Sequence, residues 1–266
     1  MSSETVLLEV DARGVATVTM NRPKVHNAFD QALIERLTRT LIDTAERDDV
    51  RVVVLTGAGR SFCSGADMEW MRSMAGFSEA ENLEDALRLS ELMATLNALP
   101  KPTIARVNGH AFGGGVGLVC CCDIAVAAED ARFALSEVRL GLVPAVISPY
   151  VIDAIGVRHA RRFFLTAEAV TARKARRVGL IHEIAKDGHL DDVIEDQIGM
   201  LLQGGPVAMR ECKALIHMVD GHTLASDQAL RQRTAELIAQ LRIAAEGQEG
   251  LGAFLQKRAP KWTEER

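Results

Sequence analysis

Three consecutive glycines, Gly113, Gly114 and Gly115, stand where an apolar strand-like run gives way to an apolar helix-like run, in Arg106-Val-Asn-Gly-His-Ala-Phe-Gly-Gly-Gly-Val-Gly-Leu118. The opening residues of a helix have N–H groups with no intrahelical acceptor, and glycine lets a ligand come close to them. Together with the positive end of the helix dipole, such donors suit a developing anion. A second junction of this kind lies upstream, where Ser61-Phe-Cys-Ser-Gly-Ala-Asp-Met68 follows the strand-like run Val52 to Thr56 and again sets small residues ahead of a helical stretch. Two separated donors that converge on one oxygen make an oxyanion hole. A glycine run alone would equally serve close helix-to-strand packing; the second loop favours the donor reading.

The rest of the chain alternates strand and helix signals. Val6 to Val10 and Val15 to Met20 read as strands joined through Asp11-Ala-Arg-Gly14, and Asp30 is placed to cap an amphipathic helix carrying Leu33, Leu37, Leu41 and Ile42. A strand over 51–56, a helix over 79–96, a strand over 103–107, the glycine-led helix to Cys122 and a strand over 124–127 follow. This order predicts an α/β core of parallel strands with crossover helices. Ser148-Pro149 marks a helix start running towards Ile155. Beyond Val157 the pattern is mainly helical, with helices over 206–219, 223–241 and 246–257 and a short strand over 180–184. We expect a core domain over residues 1–190 and a helical region over 191–266 that serves subunit contacts and closure of the site.

With 266 residues, 48% of them hydrophobic, the chain can bury a large core. Its net charge of −5 argues against a polyanion-binding surface, so no nucleic-acid partner is expected. The five cysteines, Cys63, Cys120, Cys121, Cys122 and Cys212, lack zinc-ligand spacing and are odd in number. They read as small core residues in a reducing cytoplasm rather than as nucleophiles or metal ligands. The opening Met1-Ser-Ser-Glu-Thr5 has no signal-peptide pattern and no run approaches membrane-spanning length, so neither export nor a membrane is expected. Neither G-x-G-x-x-G, Walker A nor G-x-S-x-G is present: where the first of these would need its last glycine, residue 118 is leucine.

Asn21-Arg-Pro-Lys24 with Asn27-Ala28, Phe62-Cys-Ser-Gly-Ala-Asp67, Asn108-Gly109 with Gly113-Gly-Gly115, and Cys122-Asp123-Ile124 together resemble the crotonase, or enoyl-CoA hydratase/isomerase, superfamily. The likeness runs from Val6 to Phe254-Leu-Gln-Lys-Arg258 in the family's motif order. It implies a spiral of ββα units with a C-terminal helical extension, a homotrimer or dimer of trimers, and an acyl-CoA thioester substrate with no separate cofactor. It places the oxyanion donors on the backbone N–H groups of Ala66 and Gly114. Substrate contacts are implied at Lys24, Val25 and Ala28, at Ser64, Asp67 and Met68, and at Gly113 and Gly117. Phe254 and Lys257 would reach the CoA moiety.

Of the family's two acid/base carboxylates, one falls on Glu137 in Ala134-Leu-Ser-Glu-Val138, while the other position is Gly117. A carboxylate among apolar residues has a raised pKa, which suits proton exchange near neutral pH; a surface strand-end charge or an ion pair with Arg139 is the alternative, and the matching position and apolar surroundings favour catalysis. For Asp67 a hydrogen-bonding or capping role comes ahead of proton transfer. The stretch Leu135 to Tyr150 resembles bacterial hydratases of the methylglutaconyl-CoA type, except that Ala145-Val-Ile-Ser-Pro149 replaces the usual glycine-rich turn. The expected activity is therefore hydration of a 2-enoyl-CoA, with a branched or glutaconyl-type acyl group. A single glutamate also suits isomerisation of a 3-enoyl-CoA, and a non-catalytic acyl-CoA binder is the alternative of another class.

Overall fold

The computed structural model describes residues 4–74, 76–220, 240 and 244–263, with the side chains of Met74, Phe254 and Leu255 excepted. The chain begins with the antiparallel pair β1 (Val6–Val10) and β2 (Val15–Met20), closed by a turn in which Gly14 has φ +83°. The amphipathic helix α1 (Gln31–Glu46) follows, capped as expected by Asp30, whose side chain accepts a 2.8 Å bond from Leu33 N. Its Leu33, Leu37 and Leu41 point into the core.

From there the chain repeats one unit. A long strand enters the main sheet, a three-residue strand enters a second sheet, and helix returns the chain. The first unit is β3 (Val52–Gly57), β4 (Ser61–Cys63), then α2 (Met68–Met74) and α3 (Glu79–Asn97). The second is β5 (Thr103–Val107), β6 (His110–Phe112) and α4 (Gly114–Cys121). The third is β7 (Ile124–Ala128), β8 (Arg132–Ala134), a 3₁₀ turn over Glu137–Leu140 and α5 (Ser148–Thr166). This is the spiral of ββα units that the sequence resemblance implied.

After α5 come β9 (Val170–Thr171), α6 (Ala172–Arg177), β10 (Glu183–Ala185), α7 (Leu190–Leu202) and α8 (Pro206–Val219), and later a helix over Ala245–Gln256. The main sheet has the order β1-β2-β3-β5-β7-β10, parallel except for β1. The small sheet has the order β4-β6-β8-β9, with β4, β6 and β8 parallel. Strand β3 is buried at every position, as a parallel strand covered on both faces should be. One face carries the larger core, with Leu37, Leu55, Met93, Leu118 and Ile155; Ile194 and Ile198 of α7 pack with Val52, Val54, Ile104 and Val126 on the other.

Four expectations change against this structure. The strand expected over 180–184 lies at Glu183–Ala185, because Leu180 and Ile181 are spent on core packing. Helix α5 runs past Ile155 to Thr166, with a break at Gly156 (φ +71°, ψ 156°). Its N-cap is Ile147; Ser148 is already helical and bonds back to Ala145 O at 2.7 Å. Cys212 is exposed rather than a core residue, while Cys63, Cys121 and Cys122 are buried. The helix expected over 223–241 lies outside the described residues, apart from residue 240. No helix among the described residues is long and apolar enough to cross a membrane.

Candidate active site

The three short parallel strands β4, β6 and β8 lie side by side, and each releases one functional segment at its C-terminal end. Residues 64–67 follow β4, Gly113-Gly114 follows β6, and Glu137 follows β8. Crevices at the C-terminal ends of parallel strands are where α/β folds bind ligands, because loops from adjacent strands converge there. A 2.8 Å bond from Gly113 N to Ala134 O continues the β6–β8 pairing beyond the strands and holds the second and third segments together.

The two donor loops touch. A Cβ on Gly65 (φ +89°) would stand 3.2 Å from Phe112 O and 3.9 Å from Gly113 Cα. Gly113, the N-cap of α4, has φ 50° and ψ −122°, a conformation open only to glycine. It buries itself and leaves Gly114 as the first helical residue, whose N–H is one of the helix's orphan donors.

Ala66 reaches a similar state by another route. It forms a parallel bridge with Phe29, in which Phe29 N donates to Gly65 O at 2.7 Å and Asp67 N donates to Phe29 O at 2.8 Å. In that geometry both bonds belong to the flanking residues 65 and 67, so the N–H of Ala66 faces the opposite side. Ala66 and Gly114 are each partly accessible, while Gly65, Gly113 and Gly115 beside them are buried.

A Cβ on Gly113 would meet Glu137 Oε1 at 3.1 Å, so the carboxyl lies over the helix start, one residue from the Gly114 donor. Glu137 Oε2 is buried with no hydrogen-bond partner, and no ion pair with Arg139 forms. Burial raises the Glu137 pKa, and only a bond to its own backbone N–H opposes the rise. A half-buried carboxyl without a counter-ion is poised to take up and return a proton.

Gly117, one turn further along α4, does not face open space. A Cβ there would fall 2.3 Å from Ile147 Cγ2 and 3.2 Å from Met93 Cε. The Ala145-Val-Ile-Ser-Pro149 stretch thus supplies, through Ile147, the side chain that fills the space beside Gly117. Nothing in either segment of the sequence shows that Gly117 and Ile147 meet.

Asp67 is buried, and its environment acts in opposing senses. Burial raises its pKa, but the hydrogen bond from Glu69 N–H and the Arg22 guanidinium outweigh burial and leave it below the ordinary carboxylate range. It caps α2 through Oδ1 and pairs with Arg22 through Oδ2. Ser64 donates through Oγ to Val25 O at 3.3 Å and through N to His26 O at 3.0 Å, which brings the Lys24-Val25 turn beside the first donor loop. Lys24, Val25 and Met68 are exposed and Ala28 is buried. Lys257 is exposed with φ 53°, and the Phe254 side chain lies outside the described residues.

Burial pushes the Cys63 and Cys120 thiols up to about 12, so neither is a thiolate at neutral pH. Among the described residues no group of three or more His, Cys, Asp or Glu side chains is arranged to hold a metal ion. Phe29 and Arg22 were not singled out from the sequence. Phe29 packs its ring against Gly114, where a Cβ would lie 2.7 Å from Cε2. Arg22 stands in the Asn21-Arg-Pro-Lys24 motif already noted, but nothing in that motif shows that its side chain turns inward.

A family model for enoyl-CoA hydratase/isomerase matches residues 11–265. An enoyl-CoA hydratase from Shewanella pealeana has a similar structure, with a TM-score of 0.93 at 43% identity over 98% of this chain and 97% of that one. The 2,3-dehydroadipyl-CoA hydratase of Escherichia coli is 33% identical over 92% of this chain and 94% of its own. The trans-2-decenoyl-[acyl-carrier-protein] isomerase of Streptococcus mutans is 29% identical over 99% of each.

Proposed function

This chain belongs to the enoyl-CoA hydratase/isomerase family, and we propose that its own reaction is the reversible hydration of a 2-enoyl-CoA with Glu137 as the single proton carrier. The observation that carries the reading is the Glu137 carboxyl set over Gly113, next to the Gly114 donor, with Oε2 unpaired. The thioester oxygen accepts from the N–H groups of Ala66 and Gly114. Glu137 takes a proton from water as the water oxygen bonds to C3, and the C2–C3 π pair moves into the thioester as an enolate. The enolate charge is then greatest at the oxygen that the two donors hold, so they act mainly in the transition state. The protonated Glu137 returns the same proton to C2, which completes addition of H and OH.

The likeness of Leu135 to Tyr150 to methylglutaconyl-CoA hydratases supports a branched or glutaconyl-type acyl group. A second reading, transfer of a proton from C2 to C4 of a 3-enoyl-CoA to give the 2-enoyl-CoA, is favoured by the apolar filling of the Gly117 position, since isomerisation needs no second carboxylate. Incubation in oxygen-18 water with 2-enoyl, 3-enoyl and 3-methylglutaconyl CoA esters separates the two. Label in a 3-hydroxyacyl product supports hydration; an unlabelled shifted alkene with no hydroxyl product rejects it.

The remaining contacts follow the same proposal. Lys24 and Lys257 would meet the CoA phosphates, and Val25, Ala28, Ser64 and Met68 would flank the thioester arm, with Phe254 closing over it. We place the protein in the cytoplasm as a homotrimer or dimer of trimers. Exposed Leu140, Leu142 and Val143, directly after Glu137, supply apolar surface for a neighbouring subunit, and residues 191–266 would complete the contact. A monomer mass by light scattering would reject this assembly.

A further inference from the structure

We propose that Arg22 is the positioning residue of the oxyanion hole, holding both backbone donors in register through one guanidinium. The inference rests on the assignment of those donors to Ala66 and Gly114. Arg22 Nη2 donates to Asp67 Oδ2 at 3.0 Å and forms an ion pair with Asp30 Oδ2 at 2.9 Å, and Nη1 donates to Ala28 O at 2.5 Å. Its side chain is 19% exposed, and those of Asp67 and Asp30 are 10% and 28% exposed, so solvent screens these pairs less than pairs on the open surface.

Each carboxylate divides its two oxygens between two tasks. Asp30 Oδ1 accepts from Leu33 N at 2.8 Å and starts α1, and Asp67 Oδ1 accepts from Glu69 N at 2.8 Å and starts α2. The other oxygen of each goes to Arg22. One planar cation thereby ties two helix caps to each other through Nη2 while Nη1 holds Ala28 O, a fixed spacing of three acceptors that the rigid guanidinium supplies and the flexible ammonium of lysine does not reproduce.

Between the two caps lies Phe29, which contacts both donors. Its backbone is bridged to Gly65 and Asp67 on either side of Ala66, and its ring abuts the Cα face of Gly114. Arg22 grips the residue before Phe29 through Ala28 O and the residue after it through Asp30. It is itself pinned from below, since Arg22 N donates to Asn27 Oδ1 at 2.9 Å and the fully buried Asn27 donates to Ala58 O and Ser61 O at 2.9 and 2.8 Å. Residues 28–30 therefore act as a spacer between the two donor loops, and Arg22 is what keeps the spacer and the Ala66 loop in one position. Oxyanion donors contribute only when aimed at the oxygen, so freeing this spacer should misdirect both without removing either.

The test compares Arg22→Met, Arg22→Lys and Asp67→Asn with the unaltered protein, using crotonyl-CoA for turnover and carbonyl-13C butyryl-CoA as an unreactive thioester. Difference infrared spectra of bound butyryl-CoA report the lowering of the C=O stretch, which measures how strongly the donors polarise the carbonyl. For Arg22→Met we expect kcat to fall roughly 10- to 100-fold, less than the hundredfold or more from deleting a donor. The bound C=O stretch should move back towards its free value, while the dissociation constant for butyryl-CoA stays within about threefold. Arg22→Lys and Asp67→Asn should show the same split at smaller size, and they keep the test valid if Arg22→Met does not fold. A kcat within twofold of the unaltered protein, or a loss of affinity matching the loss of kcat with the C=O stretch unmoved, would overturn the role of Arg22. A C=O stretch that is not lowered even in the unaltered protein would overturn the donor assignment itself, and the clamp with it.

Discussion

The contact between Gly117 and Ile147 is the point at which this chain differs most from a two-carboxylate site, and a double-mutant cycle tests it directly. In Gly117→Ala the new Cβ falls 2.3 Å from Ile147 Cγ2, 2.9 Å from its Cβ and 3.2 Å from Met93 Cε. Carbon atoms prefer about 3.5–4.0 Å, so the overlap with Ile147 exceeds an ångström. Met93 can yield at its flexible end. Ile147 cannot readily do so, because it is β-branched, 2% exposed and fixed at the N-cap of α5.

Overpacking of this kind costs about 1–3 kcal/mol, and the cavity left by Ile147→Ala costs about 2–5 kcal/mol. Independent sites would sum to roughly 3–8 kcal/mol. Because the methyl group introduced by Gly117→Ala fills the space that Ile147 Cγ2 leaves, the double variant should be more stable than that sum by about 1 kcal/mol or more. Urea denaturation of the four proteins measures it. Additivity within about 0.5 kcal/mol would show that residues 117 and 147 do not compete for one space. The same geometry governs chemistry. Gly117→Glu alone should destabilise the fold by burying a charge in an overfilled site and should suppress activity on 3-methylglutaconyl-CoA. Gly117→Glu with Ile147→Gly has the room, and should hydrate crotonyl-CoA faster than Ile147→Gly alone. A folded Gly117→Glu variant with unchanged activity on both esters would mean that residue 117 does not border the reacting groups.

Glu137→Gln should lower turnover by about 10²- to 10⁴-fold while leaving acyl-CoA affinity nearly intact; near-normal turnover would remove Glu137 as the proton carrier. The same substitution changes stability with a definite sign. Burial raises the folded-state pKa of Glu137 above 4.5, so the wild-type carboxyl carries no penalty below that pH and loses stability as pH rises through its folded pKa. Glu137→Gln should therefore gain on wild type with rising pH, by about 1.4 kcal/mol for each unit of elevation, and urea melts at pH 4 and pH 8 with a constant difference would contradict the burial argument. Gly114→Val should damage turnover more than binding of free CoA, because its Cβ meets the Phe29 ring at 2.7 Å and shifts a donor used mainly at the enolate. Equal losses in kcat/KM and CoA affinity would instead mark a general packing defect.

Much of this architecture can be read locally. Strands β1, β2 and β5 begin and end where the alternation of apolar residues says they should, and Asp30 and Pro206 open their helices by side-chain and φ effects that act within a few residues. The loops proposed to carry the donors, and Glu137, stand out for a similar reason, since small residues at a strand-to-helix junction and a carboxylate in an apolar run are short-range signals. What escaped were interactions across long separations. Strands β4, β6 and β8 have three residues each, too few for any period to show, and exist because Ser61, His110 and the residues around Phe133 pair with one another. That pairing, and not any one motif, gathers Ala66, Gly114 and Glu137 at one edge. Likewise Gly117 as a sequence position shows only that a side chain is absent, and packing alone shows Ile147 filling the space beside it. Arg22 reads as one more surface cation until the folded chain brings Asp67, 45 residues away, to its guanidinium. A residue's spacing constrains the backbone beside it; which side chain occupies the space opposite is settled by close packing among segments that the chain order keeps apart.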